Sequence, residues 1–371
     1  MKTRTYKATG EEISLLGLGC MRLPLAEPGK SAIDEEKAME LVDIAYKGGI
    51  NYYDTAWFYH ERTSESFMGR ALSRYPRDSF KLATKMPVSI LEKAEDVPAI
   101  FAKQLENLQT DHFDFYLCHA LNASNFEKME SMGVYEFLKQ KKDEGIIKQL
   151  GFSFHDSADV LRTICDAHEW DFAQIQLNYL DWEMQDSAGQ YKVLEEHGIP
   201  VIIMEPVRGG TLADLGEEAN AVLKAAHPDW SIAGWALRYA ASLPAVMTVL
   251  SGMSNNDQLL DNLGTFESFE PLSEADQAVL AEALAIFRRN TFVPCTACRY
   301  CSECPQSIDI PTVFKRYNSY MLHKNAEIFK KNLEKLDEGC RPADCIGCGL
   351  CESMCPQHIA IPAKMQEIAA L

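Results

Sequence analysis

The chain has 371 residues, of which 47% are hydrophobic, and its 36 basic and 54 acidic side chains leave a net charge of -18. That balance argues against nucleic acid or an anionic membrane surface as the main partner. No run of about 18 apolar residues offers a membrane span, and the start MKTRTYKATGEEIS lacks the apolar core of a signal peptide, so a cytoplasmic protein is expected.

In chain order, TYKATGEEISLLGLGCMRL reads as two short strands around Gly10, the second entering a sheet at Leu15 to Cys20. Ser31 or Asp34 then caps a helix over EEKAMELVDIAYKGG, and Gly48 and Gly49 stop it. The same beat recurs as strand NYYD, helix SESFMGRALSRY, strand FKLATK, helix PAIFAKQLENL, strand FDFYLCH and helix GVYEFLKQKKDEG. Four more strands are read in IKQLGFSFH, FAQIQLNYL, IPVIIMEP and VMTVLSG, followed by helices DVLRTICDAHE, YKVLEEHG, SIAGWALRYAAS and NDQLLDNLGTF. Eight strands alternating with helices predict an α/β fold, a (β/α)8 TIM barrel over residues 1–270. No G-x-G-x-x-G follows an early strand, which lowers the open dinucleotide-binding sheet as an alternative. A linker helix is expected over 271–293, and the composition then changes into a separate module over 294–371.

Asp54, Lys85 and His119 each close a β-rich apolar run, and Tyr59 follows Asp54 in DTAWFY. About one βα unit separates successive members, so parallel strands would present them at one end of the sheet, where barrel enzymes keep their chemistry. A lysine ammonium lowers the pKa of a neighbouring phenol, an aspartate holds that ammonium, and a histidine can hydrogen-bond a carbonyl oxygen. Taken singly, each is equally a buried polar group satisfied by its neighbours.

Together, in DTAWFY, LATK and YLCH, these four resemble the catalytic tetrad of the aldo-keto reductase family. The resemblance implies that a nicotinamide amide meets Ser153 and Gln176. It places the adenosine end of the cofactor against Ser254, Gln258, Asp261 and Asn262, which otherwise read as a solvated helix start. Three positions depart from the family pattern. Phe154 stands where Asn is common, and Met204 where an aromatic ring stacks. Glu205 falls beside the pyrophosphate, unfavourably unless Arg208 neutralises it or its side chain turns away. No Lys/Arg pair marks a 2′-phosphate site, so NADH and NADPH stay open, and a flavin is admitted.

Nine of the 12 cysteines lie between Cys295 and Cys355. The runs are Cys295-x-x-Cys298-x-x-Cys301-x-x-Cys304-Pro and Cys345-x-x-Cys348-x-x-Cys351-x-x-x-Cys355-Pro. The second is the ferredoxin run, and in two-cluster ferredoxins the cysteine before proline serves the other cluster. By that resemblance Cys295, Cys298, Cys301 and Cys355 hold one [4Fe-4S] cluster, and Cys345, Cys348, Cys351 and Cys304 the other. The first run is one residue short before its last cysteine, and zinc is the alternative for paired C-x-x-C units. Cys340 is expected to be a surface thiol with no ligand role.

The whole resembles oxidoreductases in which an aldo-keto reductase barrel carries a helical, ferredoxin-like iron-sulfur domain. That implies reduction of a small-molecule carbonyl, or oxidation of an alcohol, with NAD(P)H, while two [4Fe-4S] clusters relay electrons to or from an electron-transfer protein. The alternatives are the same enzyme with structural clusters, and a flavin-linked electron-transfer or redox-sensing protein. A flavin would bridge the two-electron chemistry of nicotinamide and the one-electron chemistry of a cluster.

Overall fold

A computed structural model describes residues 1–27, 31–289 and 292–371. Asn290 and Thr291, within the linker helix expected over 271–293, lie outside the described residues. The strands are β1 (Thr3–Tyr6), β2 (Glu11–Ser14), β3 (Leu16–Gly19), β4 (Tyr52–Asp54) and β5 (Lys81–Met86), then β6 (Phe113–Leu121), β7 (Ile147–Phe154), β8 (Phe172–Gln176), β9 (Val201–Met204) and β10 (Val246–Ser251). Helices α1 (Glu35–Lys47), α2 (Ser64–Leu72), α3 (Asp96–Leu108), α4 (Ala123–Ser131), α5 (Val134–Asp143) and α6 (Ala158–Ala167) follow the first strands. Next come α7 (Asp181–Met184), α8 (Ser187–Glu196), α9 (Glu217–Ala226), α10 (Ile232–Ser242), α11 (Asn256–Glu267) and α12 (Glu274–Phe287). The C-terminal helices are α13 (Ile310–His323), α14 (Ala326–Glu334), α15 (Leu350–Ser353) and α16 (Ile361–Ala369).

Strands β3 to β10 close into the expected barrel in the order β10-β3-β4-β5-β6-β7-β8-β9, every pair parallel. Parallel strands covered on both faces need apolar side chains on both, and the alternation is visible in the packing. Tyr52, Phe115 and Ile202 fill the interior, while their neighbours Tyr53, Tyr116, Val201 and Ile203 face the helices.

Glu11–Ser14 does not run on into the barrel as the sequence pattern suggests. It pairs antiparallel with β1 around Gly10, whose φ of +75° suits glycine. The hairpin sends Tyr6 and Ile13 into the interior cluster, and the Tyr6 hydroxyl donates to Gln149 Oε1 at 3.0 Å and lies 2.9 Å from the Asp171 carbonyl. Gln149 and Asp171 lie toward the strand starts, so the hairpin seals that end and leaves the C-terminal end for chemistry. Helices α4, α7 and α9 are not among the elements read in the sequence; α7 is only four residues long, whereas α9 buries Ala219 and Leu223 four apart, a helical spacing that the residues carried.

The chain forms two compact units, Met1–Val207 with Gly234–Leu272, and Arg208–Ala233 with Ser273–Leu371. In the second, α9 packs on α12, which a Ser273/Asp276 capping box starts. Val313, Phe314 and Tyr317 of α13, Phe329 of α14 and Ile361, Met365 and Ile368 of α16 form its cysteine-side core. Cys351 is part of that core, and Cys295, Cys301, Cys304, Cys345 and Cys355 pack against it. Among the described residues no helix is long and apolar enough to cross a membrane.

Candidate active site and cysteine rings

At the C-terminal ends of β4, β5 and β6 the barrel gathers Asp54, Lys85 and His119, and the turn after β4 adds Tyr59; all four are buried. Lys85 Nζ donates to Asp54 Oδ1 at 2.6 Å, to the Thr55 carbonyl at 2.9 Å and to the Tyr59 hydroxyl at 3.3 Å. Three acceptors satisfy the three ammonium donors. Because the Tyr59 oxygen accepts from Lys85, its own O–H is left to donate elsewhere. Burial, with the Asp54 charge next, pushes the Tyr59 phenol well above its ordinary pKa. The lowering by Lys85 expected from sequence is therefore outweighed, because desolvation penalises the phenolate and the ammonium is already shared with a carboxylate. Tyr59 stays protonated at neutral pH.

His119 stands edge-on to the Tyr59 ring, with centroids 6.2 Å apart. A register shift between Cys118 and Leu121, with Ala120 at φ +53°, bends the strand just after His119, as bulges beside active sites do. Burial, then the Lys85 and His155 charges, drives the His119 pKa far below its usual value, so the ring is neutral.

Behind the site lies a carboxylate that the sequence did not single out. Glu65 of α2 is 1% exposed and accepts from Thr84 Oγ1 and Gln104 Nε2, each at 2.6 Å. Gln104 Nε2 also lies 3.0 Å from the Lys85 carbonyl, so this network fixes the strand end that carries Lys85. The turn bearing Tyr59 is held as firmly. His60 accepts from the Leu23 amide through Nε2 at 3.2 Å and pairs through Nδ1 with the Ser31 carbonyl at 3.0 Å. Only a neutral ring with hydrogen on Nδ1 makes both bonds.

Ser153 and Gln176 sit on the neighbouring strands β7 and β8. Ser153 Oγ accepts from the Ala120 amide at 2.8 Å, so its O–H points elsewhere, and Gln176 Nε2 donates to the buried Asp181 at 2.7 Å, which sets the amide's orientation. A hydroxyl donor beside an oriented carboxamide fits the complementary groups of a nicotinamide amide. Glu205 is matched by Arg22, a residue missed in the sequence, whose Nη2 lies 2.5 Å from Glu205 Oε1. Ser254 Oγ donates to the Arg22 carbonyl at 2.9 Å, and Gln258 Oε1 folds back to accept from the Ser254 amide at 2.8 Å. Asp261 is exposed. Asn262 is drawn inward instead, donating to Ser251 Oγ at 3.0 Å.

The cysteines form two rings. One cavity is lined by Cys295, Cys298, Cys301 and Cys355, the other by Cys304, Cys345, Cys348 and Cys351, the same grouping as the crossed ferredoxin pattern. Among the described residues no three His, Cys, Asp or Glu groups close on a single-ion site; each ring surrounds a space between its thiols. Burial raises the Cys295 thiol to about 12, and an iron-sulfur core would supply the positive charge that a buried thiolate requires.

Among the described residues the first run lacks a counterpart of the short helix α15 of the second, but the turns on either side of its missing residue match. Left-handed φ values recur at matching places, at Ala297 and Gly347, at Arg299 and Gly349, and at Ser307 and His358. The helices that follow each run, α13 and α16, both open on Ile-Pro. The repeat CPQSIDIP and CPQHIAIP carried this signal in the sequence.

A model of the aldo/keto reductase family matches residues 15–285, and one for a 4Fe-4S dicluster domain matches 294–360. L-galactose dehydrogenase of Arabidopsis thaliana is 26% identical over 306 residues, covering 77% of this chain and 94% of that protein. The NADH-specific methylglyoxal reductase of Escherichia coli K12 is 24% identical over 334 residues, 78% of this chain and 100% of that protein. Among solved structures, the holo form of an aldo-keto reductase from Bacillus halodurans matches with a TM-score of 0.62 and 26% identity, covering 76% of this chain and 96% of that one.

Proposed function

This chain belongs to the aldo/keto reductase family, and on that premise we propose that it reduces a small-molecule carbonyl, or oxidises the corresponding alcohol, with a nicotinamide cofactor. The observation that carries this reading is the Lys85 ammonium bonded at once to Asp54 at 2.6 Å and to the Tyr59 hydroxyl at 3.3 Å in a buried strand-end site. A bound reduced nicotinamide supplies the hydride. Tyr59 gives its proton to the carbonyl oxygen, Lys85 with Asp54 stabilises the phenolate left behind, and neutral His119 orients the carbonyl by a hydrogen bond. Ser153 and Gln176 hold the carboxamide, and Ser254, Gln258, Asp261 and Asn262 serve the adenosine end. Two of the relatives, a sugar dehydrogenase and an NADH-specific reductase of a small dicarbonyl, support this substrate class.

We assign the barrel to residues 1–270, apart from Arg208–Ala233, which belongs to the second compact unit, the linker helix to 271–293 and the iron-sulfur domain to 294–371. In that domain Cys295, Cys298, Cys301 and Cys355 hold one [4Fe-4S] cluster and Cys304, Cys345, Cys348 and Cys351 a second. Bound clusters supply one-electron chemistry, which we take to serve exchange with an electron-transfer protein in the cytoplasm. The packing of Cys351 within the core and of five other cysteines against it favours a second reading, in which the clusters are structural.

The test is anaerobic. The iron-loaded protein is mixed with methylglyoxal and NADH or NADPH, following both cofactor oxidation and visible cluster absorbance. Carbonyl reduction lost in Tyr59→Phe with cofactor binding intact is the expected result, and unchanged reduction in that variant would refute the assignment. Bleaching of the clusters by NADH or NADPH supports the relay, and a flavin should then be sought. Reduction that persists after Cys304→Ser removes a cluster favours the structural reading.

A further inference from the structure

We infer that Arg208 is the electrostatic partner of the cluster held by Cys295, Cys298, Cys301 and Cys355, and that it raises that cluster's reduction potential above that of the other. The inference rests on the two-cluster reading proposed above.

Arg208 has no exposed surface, a rare state for an arginine unless a negative group compensates it. It opens a tight turn in which Arg208, Gly209 and Gly210 have φ values of +51°, +62° and +94°. The turn lies directly on the first cysteine loop. A β-carbon on Gly209 would collide with the Thr296 carbonyl, so glycine is required there by contact as well as by φ. Thr296 is itself buried. The Arg208 guanidinium carbon lies 6.0 Å from the centre of the Phe292 ring, just upstream of the same loop, and Arg208 is the cation among the charges acting on the Cys295 thiol.

The second ring differs in exposure: Cys348 is exposed, whereas Cys295, Cys298, Cys301 and Cys355 are all partly buried. Reduction adds one electron to a cluster and neither makes nor breaks a bond. A buried guanidinium beside a four-thiolate cluster favours the more negative, reduced state, more strongly in a low dielectric than at the surface. The Ala297 N–H directed at Cys295 Sγ, 3.3 Å away, acts in the same sense.

The test is a reductive titration of the full, iron-loaded chain with dithionite and mediators, read by electron paramagnetic resonance. Two separate one-electron steps are expected in the native protein. Arg208→Gln should move the upper step to lower potential and leave the lower step in place, while Arg208→Lys, which keeps the charge, should stay close to the native value. Coincident native steps, or an Arg208→Gln protein in which neither step moves or both move together, would overturn the inference. Iron and sulfide analysis of the native protein separates this from failure of the two-cluster reading, which would appear as fewer than eight irons, eight being the content of two four-iron clusters. Should Arg208→Gln fail to hold the cluster, the native titration and Arg208→Lys still decide.

Discussion

Asp54 with Tyr59, Lys85 and His119 lie on three successive βα units and meet because eight paired strands and a large apolar interior hold their ends in register. The eight ring cysteines come instead from two short runs, and the core beside them is small and partly made of the thiols themselves. The difference teaches that the barrel site is preorganised by packing and by the hydrogen bonds of Glu65, Gln104 and His60, whereas on the two-cluster proposal the module depends on what fills its rings. Small domains with little apolar core need such staples.

The comparison is broken most directly at the chemistry. Tyr59→Phe should lower kcat/KM for carbonyl reduction by about 10²- to 10⁴-fold, the usual span for a general acid, with the melting curve nearly unchanged. Next in size, removing iron with a chelator should melt the helices α13 to α16 and leave the barrel's unfolding transition in place. Differential scanning calorimetry reads both, and a barrel that melts along with the module would remove the contrast.

Within the barrel, Arg22→Ala strands the Glu205 carboxylate and should cost about 2 kcal/mol, less than a fully buried pair because Arg22 is partly exposed. Adding Glu205→Gln should recover most of that loss, and denaturant melts of the four proteins measure the coupling.

The pH dependence follows from the two histidines near Tyr59. Burial lowers the pKa of both His119 and His60. In the unfolded chain each titrates near pH 6.5, so below that pH the unfolded state binds protons that the folded state refuses. The contribution of these two histidines therefore falls with decreasing pH from about 6.5, by about 1.4 kcal/mol per unit for the buried His119, and is flat above. His119→Gln should flatten that slope in urea melts at pH 5 and 7.5.

The smallest effect probes the cysteine repeat. Ala297 occupies the left-handed place that Gly347 holds in the second loop, so Ala297→Gly should stabilise the module by about 1 kcal/mol. An unchanged melting point would show that the first loop is not strained.

Much of this was legible in the residues. The alternation of β-rich runs and helical periods fixes the barrel class, because strands covered on both faces must be apolar and helices must be amphipathic. The order DTAWFY, LATK and YLCH picks out the groups that share the barrel end, since strand ends are where parallel strands deliver side chains. Fixed cysteine spacings likewise announce metal binding, a property of local loop length. What only the tertiary structure decided are the long-range pairs and the effects of burial. Arg22 meets Glu205 across the barrel mouth, Glu65 braces the strand end of Lys85, and Arg208 turns onto the loop of Cys295. The Tyr59 phenol rises rather than falls in pKa. None of these follows from spacing, because a side chain's partner and its desolvation depend on which distant segments close over it, and that is set only when the whole core is packed.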